Sequence, residues 1–235
     1  MKKPFSAFKA WGLAVALAAS CVGAQAQMQL TSPAFQAGQT IPNPFTNNLG
    51  AQCTGSNQSP PLEISGIPSD TQTLVITMID TSAGNFLHWK VWDIAVAPGV
   101  TTASLGANAA TTFPTGNQSV NDFGTGGYGG ACPPPAGTPG LPDTHNYVFT
   151  VYALTTAPGG GQPTAATLAA VPADHRATLL GTRAQADNVA WPATPNPGAP
   201  GASVMAVPTL SEVSLVLMGL ILAGGAAVRQ RRRRT

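Results

Sequence analysis

The chain has 235 residues, enough for one domain of up to about 200 residues or for two small ones. Hydrophobic residues make up 43% of it, enough for a core, but charged residues only 9%, against about 25% in soluble proteins. Eight of the 11 Lys and Arg lie in the first nine or the last seven residues, and residues 27–190 hold three basic and eight acidic residues. Nucleic-acid binding needs basic residues clustered on a folded face, so this function is excluded.

The N-terminus has the three parts of a secretory signal peptide. Three lysines among the first nine residues precede an apolar run at 11–19 that is too short to span a bilayer, and Ala-Gln-Ala at 24–26 is an A-x-A cleavage site. A lipoprotein site at Cys21 is the weaker alternative, because Ala18-Ala19-Ser20 lacks the Leu that such a site prefers at its start. We expect cleavage after Ala26, which exports the domain to a compartment where disulfides persist.

The body, about 27–190, is predicted to be one β-rich domain. Three runs rich in Val, Ile, Thr and aromatic residues, at 73–80, 88–96 and 147–154, lack the 3.6-residue stripe of a helix. The run at 147–154 is apolar on both faces, which favours a central strand. One short helix is expected at 164–171, ended by a proline. An all-β sandwich with a few short helices is therefore the expected architecture.

Two cysteines, Cys53 and Cys132, remain after signal removal. In an exported domain two cysteines most often pair, and such a bond would contribute about 4 kcal/mol by restricting the unfolded chain. The alternative is a cysteine nucleophile or metal site. Cys132 lies in an Ala-Cys-Pro-Pro-Pro stretch with no His beside it, so we expect the disulfide.

Few polar residues stand out in so weakly charged a body. Asp80 ends the first strong strand, His88 begins the next, a glycine-rich loop covers 121–130, and His145 and Tyr147 enter the predicted central strand. Strand ends and their loops are where binding sites are usually built. The alternative is structural: a histidine at a strand end can simply pack and bond a neighbouring loop.

Several blocks in order resemble the phosphatidylethanolamine-binding protein family, in particular its bacterial Raf-kinase-inhibitor-like branch. The blocks are Asn57-Gln-Ser-Pro-Pro-Leu62, Asp80 eight residues before His88-Trp89, Asn121-Asp122, Tyr128-Gly-Gly-Ala-Cys-Pro-Pro134 and His145-Asn-Tyr-Val-Phe-Thr-Val-Tyr-Ala-Leu154. A weaker likeness at 175–182 falls where the family has its last strand. The resemblance implies a β-sandwich with a small anion pocket, lined here by Asp80, His88, Gly130, Ala131, His145 and Tyr147.

The implied pocket suits a phosphate-like oxyanion, which needs hydrogen-bond donors. Two imidazoles, a tyrosine hydroxyl and backbone N–H groups of the glycine-rich loop would supply them, and Asp80 would fix a histidine tautomer. The family's Asp-Pro-Asp-Ala-Pro is Asp80-Thr-Ser-Ala-Gly84 here, Ala131 replaces a proline, and Asn146 replaces an arginine. These departures predict a looser or differently shaped rim.

The C-terminal region reads as a spacer followed by a membrane-directed signal. Residues 191–206 are rich in Pro, Gly and Ala, and an arginine cluster begins at 229. The apolar run between them, 213–228, is slightly short of a membrane span as a helix, and Leu210 with the flanking residues extends it to a full one. An ordinary anchor is the plain interpretation. The preceding motif, together with this helix and cluster, resembles the IPTL-CTERM sorting tails of Gram-negative bacteria, which implies processing by an exosortase-type enzyme. The motif residues are Val207, Pro208, Thr209, Leu210, Ser211 and Glu212.

Three functions follow from these observations. The leading hypothesis is a non-catalytic binding module, exported to the periplasm, envelope or surface and transiently anchored in the inner membrane, that holds a phosphate or phospholipid head group without cofactor or metal. The second is an inhibitor or partner of an extracytoplasmic protein such as a serine protease. The third is a hydrolase that uses Asp80 with His88 or His145 as an acid–base pair. No G-x-S-x-G, H-E-x-x-H or P-loop pattern supports the third.

Overall fold

The computed structural model describes residues 27–114, 117–159 and 161–191. Eight strands occur in these residues: β1 (Gln29–Thr31), β2 (Gln39–Thr40), β3 (Leu62–Ser65), β4 (Thr73–Asp80), β5 (Phe86–Ala95), β6 (Thr102–Leu105), β7 (Thr144–Leu154) and β8 (Arg176–Ala184). The helical elements are one α-helix, α1 (Ala165–Ala169), and short 3-10 turns at Asn43–Phe45, Ala109–Thr112 and Ala173–His175.

The strands form two sheets. The smaller has the order β1-β3-β6, and the larger has the order β2-β8-β7-β4-β5, so β7 lies at its centre as the apolar pattern predicted. Leu30, Leu62 and Ile64 of the smaller sheet belong to the same buried cluster as Ile76 and Phe149 of the larger one. The two sheets therefore enclose one core, and the predicted mostly-β sandwich is confirmed.

Sequence pattern explains the central strands. β4 is buried along almost its whole length, as expected for a continuous apolar run, whereas β8 alternates buried and exposed residues at the two-residue period of a half-covered strand. The helix α1 begins after Thr164, whose side chain accepts a hydrogen bond from the Thr167 N–H at 3.1 Å, and it ends before Pro172. Leu168 of the helix and Val171 just after it pack against Val75 and Leu154 of the larger sheet.

The antiparallel register between β4 and β7 positions the candidate site. Asp80, the last residue of β4, pairs with Tyr147, so the end of β4 lies beside the start of β7. β5 continues from β4 through a turn in which Gly84 and Asn85 have positive φ angles of 66° and 65°. This turn brings His88 close to the same strand ends.

Several predictions fall outside the described residues. They concern the signal peptide with its cleavage after Ala26, the spacer beyond Trp191, and the sorting tail with its apolar helix. Among the helices that the structure describes, none is long and apolar enough to cross a membrane. The described residues belong to one unit that ends at Trp191, which is also where the predicted domain gives way to the spacer.

Candidate functional site

Asp80 and His145 form a buried pair at the centre of the site. The His145 Nδ1 lies 2.6 Å from the Asp80 Oδ2, and the two residues are 0% and 3% exposed. The other carboxylate oxygen, Oδ1, accepts a hydrogen bond of 2.8 Å from the Ser82 N–H. Asp80 thus accepts at both oxygens and holds the proton of His145 on Nδ1, which is the tautomer role foreseen for it.

His88 lies on β5 and is held by the glycine-rich loop. Its Nδ1 donates to the carbonyl oxygens of Gly129 at 2.8 Å and Gly130 at 3.1 Å. Burial lowers the pKa of His88, while the two carbonyls and the carboxylates of Asp80 and Asp122 act in the opposite direction. Because burial dominates, His88 is neutral at neutral pH.

Tyr147 joins the two histidines. Its ring meets the His88 ring edge-on, with centroids 5.1 Å apart, and lies 6.4 Å from the His145 ring. Burial, followed by the nearby Asp80 charge, raises the pKa of Tyr147 far above its usual value, while the Cys132 N–H lowers it. The hydroxyl is near Asp80 and the Cys132 N–H, but neither approach has the geometry of a hydrogen bond. Because its pKa is raised, Tyr147 is protonated at neutral pH.

Two buried polar atoms of this cluster have no hydrogen-bond partner in the described part of the chain. They are the Nε2 of His145 and the hydroxyl oxygen of Tyr147. Leaving a buried polar atom unpaired costs about 1–3 kcal/mol, and native proteins rarely tolerate it without a reason. Both atoms belong to side chains whose ring centroids lie 6.4 Å apart.

Two aromatic side chains pack against the His88 ring of the cluster. Phe86 and Phe123 lie with their centroids 4.8 Å apart, and each ring is 5.1 Å from the His88 ring. Cavities of about 520 and 450 Å³ occur elsewhere in the described residues, and Asp80, His88, His145 and Tyr147 line neither of them. Asp80, His88, His145 and Tyr147 therefore form a buried cluster, and Phe86 and Phe123 pack against its His88 ring.

The other two predicted pocket residues, Gly130 and Ala131, serve the loop. The Gly130 N–H donates to the Asn57 Oδ1 at 2.7 Å, so this backbone donor is already in use. Ala131 is fully buried and lines the cavity of about 450 Å³, as does Arg183. Four of the predicted residues therefore lie in the buried cluster, Ala131 lines a cavity and Gly130 is held within the loop.

Sequence reasoning missed three contributors to this region. Asn57 was quoted only as part of a family block, yet it binds Gly130 and also donates to the Tyr128 carbonyl. Phe123 lies in the glycine-rich loop at 121–130, where the only sequence feature that marks it is an aromatic side chain among glycines. Arg183 donates to the Ile41 carbonyl at 2.8 Å, to the Asn43 side chain and to the Asp187 carbonyl; no pattern around it marked it as buried.

Cys53 and Cys132 are bonded in the structure, with their Cα atoms 5.7 Å apart and a sequence separation of 79. Across the described ranges, no three His, Cys, Asp or Glu side chains lie together in a way that could hold a metal ion. The polar side chains of the buried cluster are the imidazoles of His88 and His145, the Asp80 carboxylate and the Tyr147 phenol.

Comparison with known proteins identifies the family of the chain. The family model for phosphatidylethanolamine-binding proteins matches residues 31–190. The chain belongs to this family. A second model, the IPTL-CTERM motif, matches residues 205–234.

Relatives of the family and one solved structure each match more than half of the chain. The UPF0098 protein YbcL of Escherichia coli K12 is 36% identical over 135 residues, which are 56% of this chain and 70% of that protein. A UPF0098 protein of Aquifex aeolicus is 35% identical over 130 residues, 54% of this chain and 68% of that protein. The crystal structure of E. coli YbcL, described as a new member of the mammalian PEBP family, has a TM-score of 0.53 at 30% identity and covers 68% of this chain and 99% of its own.

Proposed function

We propose that this family member is an exported, non-catalytic binding protein that holds a small oxyanion, phosphate or the head group of a phospholipid, between His145 and Tyr147. The observation that carries the proposal is the pair of buried, unpartnered polar atoms, the His145 Nε2 and the Tyr147 hydroxyl. A tetrahedral oxyanion would satisfy both, since its oxygens accept the Tyr147 O–H and a protonated imidazole. The family name and the sequence blocks support the same ligand class.

The cluster supports binding better than hydrolysis. Asp80 and His145 have the spacing of a carboxylate–imidazole pair, but in the described part of the chain no hydroxyl or thiol lies within hydrogen-bond distance of the His145 Nε2. Both cysteines of the mature domain are bonded to each other. A nucleophile for the pair to activate is therefore missing from the described residues, and we expect no turnover of esters or phosphoesters.

The C-terminal motif supports export. A match to the IPTL-CTERM motif at 205–234 indicates sorting to the cell envelope. We further propose that an exosortase-type enzyme processes the tail and that residues 213–228 anchor the chain in the inner membrane until then. Binding of a phosphorylated head group outside the cytoplasm would suit a protein held at that surface.

The proposal is tested by thermal unfolding of the full chain in detergent, with phosphate and phosphoethanolamine. A ligand at one hundred times its dissociation constant stabilises the native state by about 2.7 kcal/mol, which raises the unfolding midpoint by about 5–10 °C for a domain of this size. The matched variant is Tyr147→Phe, which removes one oxygen and no hydrogen bond.

We expect Tyr147→Phe to unfold at the same or a higher temperature than the wild type without ligand, because its hydroxyl is unpaired. With ligand, its midpoint should rise much less than that of the wild type. An equal rise in both proteins would place the anion elsewhere. No rise in the wild type at millimolar ligand would contradict the proposed function.

A further inference from the structure

The hydrogen bonds of His88 decide what its ring offers to a ligand. Both partners of Nδ1, the carbonyls of Gly129 and Gly130, only accept, so Nδ1 carries the proton. In the neutral ring Nε2 then bears a lone pair. His88 therefore presents an acceptor, where an oxyanion needs a donor.

His145 presents the same difficulty in the unliganded protein. Its Nδ1 proton is directed at the Asp80 Oδ2, 2.6 Å away, and its Nε2 is buried without a partner. A buried N–H without an acceptor is rarer in native proteins than an unpaired acceptor. The unpartnered Nε2 therefore indicates a neutral imidazole with a lone pair at this atom.

The backbone donors expected from the glycine-rich loop are largely in use. The Gly130 N–H donates to the Asn57 Oδ1 at 2.7 Å, and the Gly129 N–H donates to the His88 carbonyl at 2.8 Å. The Tyr147 hydroxyl has no hydrogen-bond partner within the described residues. The unliganded cluster thus offers few hydrogen-bond donors and two imidazole lone pairs. Because the oxygens of a fully ionised oxyanion only accept hydrogen bonds, these lone pairs cannot bind it.

We propose that the site takes up its anion together with one proton, which moves from solvent to the Nε2 of His145. The imidazole becomes an imidazolium whose Nδ1–H remains on the Asp80 carboxylate and whose new Nε2–H donates to the anion. No covalent bond to the ligand forms, and the added proton offsets one charge of the buried anion. The proposal rests on the proposed function, since it requires an anion at this cluster.

The surroundings favour His145 over His88 as the proton acceptor. The Nδ1 of His145 faces a carboxylate, which stabilises the imidazolium, whereas the Nδ1 of His88 faces neutral carbonyls. The charged and titratable groups around His145 are Asp80 on β4, His88 on β5, Tyr147 on its own strand and Arg183, opposite it on β8; Asp122 faces His88. Arg183 disfavours the imidazolium but directs its N–H groups to three oxygens of the 41–43 and 187 segments.

The test is calorimetric titration of the full chain with sulfate and with phosphate between about pH 5.5 and about pH 8, in buffers that differ in ionisation enthalpy. Sulfate has the shape of phosphate but carries no proton in this range, so any proton taken up with it resides on the protein. We expect uptake of about one proton per sulfate, with affinity falling about tenfold per pH unit at the alkaline end.

Three variants assign the proton. His145→Asn keeps an N–H for Asp80 but removes Nε2, so it should bind sulfate weakly, without proton uptake and with little dependence on pH. His88→Asn keeps the donor to Gly129 and should still take up one proton. His175→Asn changes a partly exposed histidine outside the cluster and should bind like the wild type.

The outcomes separate the two proposals. Sulfate affinity that is constant over the range, proton release, or binding of phosphate without any binding of sulfate would overturn the proton coupling and leave the anion site standing. Proton uptake that survives His145→Asn would overturn the assignment to His145. Failure of both anions to bind at any pH would overturn the anion site, and the proton coupling with it.

Discussion

At the scale of single residues, Asp80, His145 and Tyr147 form a buried polar cluster whose unpaired atoms cost the fold stability. All three residues are at most 3% exposed, and two of their polar atoms are unpaired. A buried polar pair is often no more stabilising than apolar residues of the same volume, so stability alone does not account for it. A ligand that completes the hydrogen bonds of the cluster gives these residues a role.

His88 makes the unliganded protein sensitive to acid. Burial lowers its folded pKa below the unfolded value of 6.5, so the unfolded chain binds a proton more readily than the native state. Stability is full above about pH 6.5 and is lost as the pH falls from there towards the folded pKa. We expect His88→Asn, which keeps the N–H to Gly129 but does not titrate, to lose less stability on acidification.

Urea unfolding at about pH 7.5 and about pH 5 measures this difference, which amounts to about 1.4 kcal/mol for each unit by which the pKa is lowered. His175→Asn is the control and should lose as much stability as the wild type. Equal acid losses in the wild type and His88→Asn would show that the His88 ring does not resist protonation.

At the scale of elements, the loop that contains Gly130 is fixed by contact with the segment at 45–47. A Cβ on Gly130 would lie 2.4 Å from the Thr46 carbonyl carbon and 2.5 Å from the Asn47 nitrogen. The Tyr128 hydroxyl donates to the Phe45 carbonyl at 2.8 Å and draws the same loop against the same segment. This contact keeps the carbonyls of Gly129 and Gly130 in position for His88.

Gly130→Ala is therefore expected to destabilise the domain by about 3 kcal/mol or more, because backbone atoms rather than a flexible side chain must shift. It should also displace the carbonyls that hold His88. The matched control is Gly106→Ala, where a Cβ meets nothing within 4 Å and the φ angle is not positive. Denaturant midpoints that fall by the same amount in both variants would contradict the close approach.

The strong strands were predictable because their signal is local. β4 spans 73–80 as the apolar run predicted, and β7 contains the predicted 147–154. β5 begins at Phe86, two residues before the predicted start, because the turn at Gly84 and Asn85 is tight. The short strands β1, β2, β3 and β6 have two to four residues each, too few for a periodic pattern, and they depend on their neighbours.

The site was predictable only as a set of residue types. The resemblance named Asp80, His88, His145 and Tyr147, but the pairing of Asp80 with His145 depends on a register between strands 65 residues apart. The use of the Gly130 N–H by Asn57, 73 residues earlier, has no signature in the chain at all. The backbone donor expected at Gly130 is therefore already paired in the structure.

At the scale of the whole molecule, the disulfide joins two distant loops beside the site. Cys132 immediately follows the loop that binds His88, and Cys53 lies 79 residues before it. Closing a loop of this length restricts the unfolded chain, which suits a chain in which only 9% of the residues are charged.

Reduction of this bond is expected to lower the free energy of unfolding by about 4 kcal/mol. The measurement compares urea midpoints of the wild type with and without reductant. The double variant Cys53→Ser/Cys132→Ser should unfold near the reduced wild type and should not respond to reductant. Equal midpoints of oxidised and reduced wild type would show that the bond contributes nothing.

The central claim, an anion site at the histidine cluster, is tested most directly by nuclear magnetic resonance of the imidazole nitrogens during a phosphate titration near pH 6. The chain has only three histidines, so the signals are few. We predict saturable shifts of His88 and His145, the larger at the Nε2 of His145, with His175 unchanged. Absence of saturable shifts at His88 and His145, or a response of His175 alone, would contradict the claim.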